Sequence, residues 1–386
     1  MKEEIIKMKV LLTATVQSHI CQFHKPLVEI LHTFGYEVHV AAKDNLREKN
    51  GLKLDFVEKI YNIPFSRSPK SKDNLRAYNE LKKIIENERY DVIHCNTPMG
   101  GIITRLAAKK ARKLGTKVFY TAHGFHFYKG APKKNWLIYY PIEKYFSRIT
   151  DLIITITQED YLIAKNKFHC KVEHMHGVGV DKNKFDLQNV NIIELKERYG
   201  FSYDDFIVLT IGELNENKNQ IVILKAILEV KKYIPNIKYL LAGNGPKLDE
   251  LQKFVRKNDL ENTVIFLGYT TKVNEYLNIA DILVSASRRE GLPLNIMEGM
   301  LSKTCVVASK NRGHNELICH LNTGLLFDSE NSEQIKEYIL DIYENKTLRD
   351  ALVKNAYDFI QSFTYASIKK ELRKIYREIL SDENGE

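Results

Sequence analysis

The chain has 386 residues, 44% hydrophobic and 28% charged, which is the make-up of a soluble globular protein and too much chain for one core, so two domains of ordinary size are expected. Five cysteines, Cys21, Cys95, Cys170, Cys305 and Cys319, stand far apart with no CxxC pair, which argues against a disulfide framework and a cysteine zinc site and for a reducing, cytoplasmic setting. The net charge of +9 comes with none of the usual DNA- or RNA-binding signatures, which argues against nucleic acid and leaves anionic lipid, a phosphorylated acceptor or a plainly solvated lysine-rich surface.

In chain order, the apolar runs of the first half are KVLLTAT, YEVHVAAK, YDVIHCN, KVFYTAHG and DLIITIT; FIVLTIGE, IKYLLAGNG, TVIFLGY, DILVSAS and CVVAS repeat the rhythm in the second. Each is followed by a helical pattern, and the runs are apolar throughout, as in parallel strands covered on both faces. The expected fold class is α/β: two Rossmann-like, doubly wound domains facing each other across a cleft. The polar, glycine-containing HGVGVDKNKF, His176 to Phe185, marks the join. That gives an N-terminal domain over residues 1–178, a C-terminal domain over 179–361, and a Lys/Arg/Glu-rich helix over 362–386 placed to cross back to the first domain.

Charge divides along the same line. Residues 1–180 hold 30 Lys+Arg against 18 Asp+Glu, and the remainder 28 against 31; within 101–150, 11 basic residues meet a single acid, Glu143. RLAAKKARKL, Arg105 to Leu114, reads as a basic amphipathic helix, and Lys129 to Tyr140, with Trp and Tyr beside Lys, as a bilayer-interface segment; a solvated helix face is the alternative. The apolar run in MKEEIIKMKVLLTATV ends at Gln17, too short for a signal peptide or a membrane span. The expectation is a cytoplasmic protein, peripheral on the inner face of the membrane through its basic domain.

In open α/β sheets ligands gather beyond the carboxyl ends of the strands. His19, His123, Gly212, Gly243 and Glu290 all follow such ends. IGELNENKN, Ile211 to Asn219, joins a turn glycine to Lys218, a counter-charge for a diphosphate, although a turn with a helix-capping Asn explains the same residues. LAGNGPK lacks the third glycine of a dinucleotide fingerprint and reads as a turn near a base pocket. In REGLPLNIMEGM, Arg289 to Met300, a Gly-Leu-Pro break separates a loop bearing Glu290 from a helix that starts near Pro293 and carries Glu298. Helix amides between two carboxylates suit an anion flanked by hydroxyls, the shape of a nucleotide-sugar. No HExxH, GxSxG, Walker lysine loop or DxD doublet occurs. No metal or other cofactor is therefore expected, and Lys218, arginine and helix amides are the groups left to carry a diphosphate's charge.

IGELNENKN, LAGNGP, SRREGLPLNIMEGM, VVASKNRGHNELI and TGLLF, in that order, closely resemble the C-terminal domain of retaining GT-B glycosyltransferases of family 4, with Glu290 and Glu298 on the family's E-x7-E motif. SHICQFHKPL with GYEVHVAA, and YTAHGFHFYKG with YYPIEKY and TDLIITITQED, resemble its capsule and exopolysaccharide branch. The resemblance spans nearly the whole chain. It implies metal-independent, retaining transfer of a hexosyl or acetylhexosaminyl group from a nucleotide-sugar, UDP-linked, to a lipid-diphosphate-linked saccharide.

Carried over by position, Glu298 would hold the ribose hydroxyls and Glu290 those of the transferred sugar. Amides near Leu294 and Asn295 would receive the nucleotide diphosphate and Lys218 would neutralise it, with Gly212 and Gly243 also on the donor side. His123 would contact the donor sugar near the reacting carbon, and His19 would serve the acceptor side. Two departures stand out. Glu213 occupies a position that is Arg in many relatives, so Arg289, and after it Arg288, is expected to supply the missing charge; and LSKTCVV replaces the usual small-Gly-x-Pro turn. A UDP-sugar epimerase on the same architecture and a non-enzymatic nucleotide-sugar sensor are the other readings.

Overall fold

The computed structural model describes residues 8–48, 51–187 and 190–381. The chain divides into two compact units: one runs to Gly179 and resumes at Tyr365, and the other is Val180–Thr364. The expected division after residues 178 and 361 thus moves to Gly179/Val180 and Thr364/Tyr365. The reason is local: the Val180 N–H donates to the Phe363 carbonyl at 3.0 Å, and Val180 bridges Thr364, which keeps Phe363 and Thr364 in the second unit.

The first unit holds β1 (Lys9–Val16), β2 (Glu37–Lys43), β3 (Lys59–Asn62), β4 (Val92–Asn96), β5 (Lys117–Ala122), β6 (Leu152–Thr155) and β7 (Lys171–His174). They form one parallel sheet in the order β3-β2-β1-β4-β5-β6-β7. The second holds β8 (Phe206–Ile211), β9 (Ile237–Ala242), β10 (Val264–Gly268), β11 (Ile282–Ser285), β12 (Cys305–Ser309) and β13 (Leu325–Phe327), again parallel, in the order β10-β9-β8-β11-β12-β13. Both have the Rossmann order, reversing direction of travel between β1 and β4 and between β8 and β11, where such sheets open a crevice for ligands.

The unbroken apolar runs have a direct cause. Val208, Tyr239, Leu241, Ile282, Val284 and Val307 enter one core of the second unit, and their neighbours Ile207, Leu209, Leu240, Leu283 and Val306 enter another. Successive side chains point to opposite faces and both faces are covered, so polar side chains such as Thr210 are kept only where they find a partner, here the Val284 carbonyl at 2.9 Å. Each fully buried Leu, Ile or Val there contributes about 1.5–3 kcal/mol.

The C-terminal helix Tyr365–Ser381 is part of the first unit. Tyr376 is wholly buried, its ring 5.4 Å from that of Phe119 and its hydroxyl 2.6 Å from His94 Nδ1. His176 Nδ1 lies 2.7 Å from Glu371, and Lys369 pairs with Glu29.

Arg105 to Leu114 is not the single basic helix expected from its sequence. Helix Pro98–Ala107 ends at Ala108 and Lys109–Lys113 begins anew. Arg105 turns inward: it is wholly buried, bonded to Glu143 at 2.9 Å and stacked 4.1 Å from the Tyr120 ring. Arg112 is forked onto Asp151 and Lys110 reaches Glu86, so part of the basic excess is neutralised.

Replacing Tyr376 with Phe should cost about 1–3 kcal/mol, because His94 Nδ1 loses its partner inside the core; denaturant unfolding of the full chain measures it.

Candidate functional site

The second unit builds its site from glycines that let two strand ends touch. Gly212 follows β8 with φ +152° and Gly243 follows β9 with φ +153°. A side chain on Gly243 would overlap the Gly212 carbonyl oxygen, and one on Gly245 would overlap the Leu214 backbone. Leu214 N–H donates to the Asn244 carbonyl at 3.0 Å and Lys247 N–H to the Leu214 carbonyl at 2.9 Å. LAGNGPK is thus a brace for the Gly212 loop as well as a turn.

Lys218 lies along Gly212: its Cε is 3.3 Å from where a Cβ on that glycine would sit. Its backbone N–H donates to Asn215 Oδ1 at 3.0 Å, and its ammonium donates to Glu290 Oε1 at 2.6 Å. Asn219 is the N-cap of the helix that follows but does not cap it with its side chain. It has φ +52°, and its amide reaches across to Glu330 Oε1 at 3.0 Å.

Glu290 sits on the loop after β11, held from behind by Gly313, where a Cβ would lie 2.7 Å from the Glu290 Cβ. Pro293, extended at φ −77° and ψ 114°, is the N-cap of helix Leu294–Leu301. Its missing N–H costs nothing where no intrahelical partner exists. Gly299 brings this helix hard against Leu283, leaving Leu294, Asn295 and Glu298 together on its more open face. Asn295 Nδ2 donates to the Ile211 carbonyl at 3.0 Å, which ties the helix start to the end of β8, while its Oδ1 accepts the Ile296 N–H at 3.1 Å. The Leu294 and Asn295 amides belong to the first turn, which lacks intrahelical acceptors.

The Glu298 carboxyl makes no hydrogen bond or ion pair with another described residue. Desolvation pushes its carboxyl up to about 7, with Lys184 opposing the shift. The arginines have separate fates. Arg288 is consumed by Glu216, at 2.5 Å, and Glu330, at 2.8 Å, so the second choice for the missing counter-charge falls away. Arg289 is exposed and forms no ion pair among the described residues.

Sequence reading missed His314. It is wholly buried, with Nδ1 2.7 Å from the Ser309 carbonyl and no hydrogen bond at Nε2. Burial holds it down at about 4, and it feels the charges of both Glu290 and Lys218. The adjoining Gly313 was the available signal, because it marks where backbone approaches the Glu290 loop.

In the first unit, His19 on helix Gln17–Phe23 and His123 after β5 come together, Nε2 to Nε2 at 3.2 Å. Asn96 Oδ1, at the end of β4, is 3.3 Å from His123 Nε2. His24, which the sequence reading did not single out, joins them at the break between helices Gln17–Phe23 and Lys25–Thr33. One ligand atom from each of the three lies within 4.8 Å of the others. Burial lowers all three: His19 to about 4, His24 and His123 well below the ordinary imidazole value. Each ring is therefore neutral at neutral pH.

Comparison with known proteins agrees with these motifs. Residues 191–359 match the family model for glycosyl transferases group 1, and residues 9–157 the model for glycosyl transferase 4-like domains. EpsD of Bacillus subtilis, named as a glycosyltransferase, is 39% identical over 373 residues, 95% of this chain and 96% of that protein. An Escherichia coli enzyme named UDP-Gal:alpha-D-GlcNAc-diphosphoundecaprenol alpha-1,3-galactosyltransferase is 26% identical over 69% of this chain and 70% of its own. Among solved structures, Anabaena Alr3699/HepE in complex with UDP and glucose superposes with a TM-score of 0.75 at 20% identity, covering 96% of this chain and all of that one. WaaG, a glycosyltransferase involved in lipopolysaccharide biosynthesis, gives 0.71 at 15%, covering 95% and 99%. With two Rossmann-like units, the ordered motifs and a near-full-length relative at 39% identity, the chain belongs to the family 4, group 1 glycosyltransferases of GT-B fold.

Proposed function

We propose that this glycosyltransferase moves a hexosyl or acetylhexosaminyl group from a UDP-sugar to a lipid-diphosphate-linked saccharide at an anionic membrane surface, as a step in cell-surface polysaccharide synthesis, with retention at the anomeric carbon. The observation that carries the donor half is Glu298, a desolvated carboxylate without a partner, on the same helix face as the amides of Leu294 and Asn295. Ribose hydroxyls would supply the donors it lacks, and the helix start would take a phosphate. The E. coli relative named for a UDP-sugar and a diphosphoundecaprenol acceptor, and the Anabaena fold relative solved with UDP, favour this pairing.

Lys218 and Glu290, bonded to each other at 2.6 Å, would exchange that bond for the donor, Lys218 turning to the diphosphate and Glu290 to the sugar hydroxyls. As the bond from the anomeric carbon to the diphosphate oxygen breaks, its electron pair goes to that oxygen, and Lys218, Arg289 and the helix amides carry the growing charge. The acceptor hydroxyl attacks from the same face and gives its proton to the departing phosphate. No protein carboxylate is required as a nucleophile. His123 is assigned the donor sugar and His19 the acceptor side.

The membrane half is supported by helix Lys133–Phe146. Leu137 is 78% exposed and Ile138 53%, beside exposed Lys133 and Lys134. Trp136, expected at the bilayer, instead turns inward: its indole N–H donates to the Tyr128 carbonyl at 3.1 Å and its ring packs 5.5 Å from Phe127. Leu137 and Ile138 take its place as the apolar contacts. No helix among the described residues is long and apolar enough to cross a membrane.

Calorimetric titration with UDP-glucose, whose diphosphate diester does not itself titrate between pH 5 and 8, tests the donor site. Binding should tighten as pH rises through about 7, because hydroxyl donors favour the ionised Glu298 carboxylate, and level off above it. Glu298→Gln should bind more weakly by about 1.5–3 kcal/mol and lose the pH dependence. Unchanged affinity in the variant defeats the assignment. On anionic vesicles, raising salt should release the protein, and Lys133→Glu with Lys134→Glu should weaken binding at least about tenfold, each basic residue contributing ~1 kcal/mol. Transfer of radiolabelled sugar to a polyprenyl-diphosphate saccharide measures the reaction itself; consumption of UDP-sugar at equal rate without acceptor would replace transfer by epimerisation or hydrolysis.

A further inference from the structure

The role given to His123 and His19 leaves His24 without work, yet the fold breaks a helix at His24 and turns its ring into their company. His24 is 4% exposed and its Nε2 makes no hydrogen bond. An unpaired buried polar atom loses its water without replacement, and its persistence in a core points to a missing partner. We propose that His19, His24 and His123 form a binding site for a zinc-class divalent cation.

Geometry comes first. A tetrahedral ion with metal–nitrogen bonds of about 2.0–2.1 Å sets its ligand atoms about 3.3 Å apart. The Nε2 atoms of His19 and His123 are 3.2 Å apart, and the third nitrogen completes a group no wider than 4.8 Å, within a small ring rotation of closure. A hydrogen bond between His19 and His123 accounts for those two rings alone; it leaves His24 unexplained, whereas an ion uses all three. Asn96 Oδ1, 3.3 Å from His123 Nε2, or a water completes the fourth position, as in three-histidine zinc sites. The donor set selects the ion. Three imidazoles and no carboxylate suit Zn²⁺, with Co²⁺ as a spectroscopic substitute, and disfavour Mg²⁺ and Ca²⁺.

Occupancy has a consequence that rests on the proposed role of His123. An ion held by its ring nitrogen keeps that nitrogen from the donor sugar, so zinc acts as a reversible brake on transfer.

Chelator-stripped full-length protein is titrated with zinc sulfate in a calorimeter and with Co²⁺ in a visible spectrometer. One ion per chain and a Co²⁺ d–d band are expected. His24→Gln and His19→Gln should each lose more affinity than the ~10–100-fold typical of an outer-shell partner, while His169→Gln, at an exposed histidine outside the cluster, should match wild type. Circular dichroism checks each fold, and either variant suffices if the other fails to fold. Substoichiometric binding, or one affinity shared by all variants, overturns the site and reduces it to adventitious surface binding. In the transfer assay, saturating zinc should slow wild type and spare His24→Gln relative to its own rate; equal inhibition of both overturns the brake. Transfer without stoichiometric zinc binding defeats this inference alone; zinc binding without any transfer leaves the metal site standing and defeats the proposed transfer together with the brake that rests on it.

Discussion

Backbone meets backbone where Gly243 lies against the Gly212 carbonyl, and the second unit's candidate site hangs on that contact. Only glycine takes φ near +150° there without strain and without filling the gap. The approach sets the course of the Gly212 loop, lays Lys218 over it, and brings the β8 carbonyl of Ile211 to Asn295, so that the start of helix Leu294–Leu301 is fixed by a strand three places before β11 in chain order. Gly313 does the same service from the other side, seating Glu290. Close approaches of this kind, each made by the absence of a side chain, hold the cationic, anionic and amide groups of one site in place.

Around that frame most polar groups are satisfied, which gives meaning to those that are not. Arg288 has two carboxylate partners, and Asp186 has Lys303 and Tyr357. Glu298 and Arg289 in one unit and His24 in the other lack such company among the described residues. Folding tolerates desolvated Glu298 and His24 at a cost in stability, while exposed Arg289 stays in water, and all three lie on the segments that follow β11 and β1. That is where a ligand can repay desolvation.

Much of this was legible in the chain. Central strands such as FIVLTI and DILVSAS are apolar on both faces and are unmistakable, and the Gly-Leu-Pro break located the helix carrying Glu298 to within a residue. The strands left unread are all at sheet edges or beside them: KIYN of β3 and KVEH of β7 are half-solvated and polar, and LLF of β13 is three residues long. An edge strand needs apolar side chains on fewer positions, so its sequence carries less signal. Long-range pairings were equally silent. Nothing in RLAAKKARKL says that its first residue is buried, since the reasons, Glu143 and the Phe146 ring on another helix and the Tyr120 ring on β5, lie elsewhere in the chain. The meeting of His24 with His123 depends on a helix break and a strand end a hundred residues apart, and spacing alone could not announce it.

The Tyr376–His94 bond also orders events on the ribosome. A nascent chain can finish the Val180–Thr364 unit as soon as that stretch has emerged, but the earlier-made unit still wants its last helix, including the tyrosine that fills its centre. The half translated first is therefore the half completed last, reversing the usual N-terminal-first sequence. Until that helix has emerged, His94, Phe119 and the apolar face awaiting it stay open to water and to chaperones, so a chain cut short before Tyr365 would carry a complete Val180–Thr364 unit joined to an unfinished one.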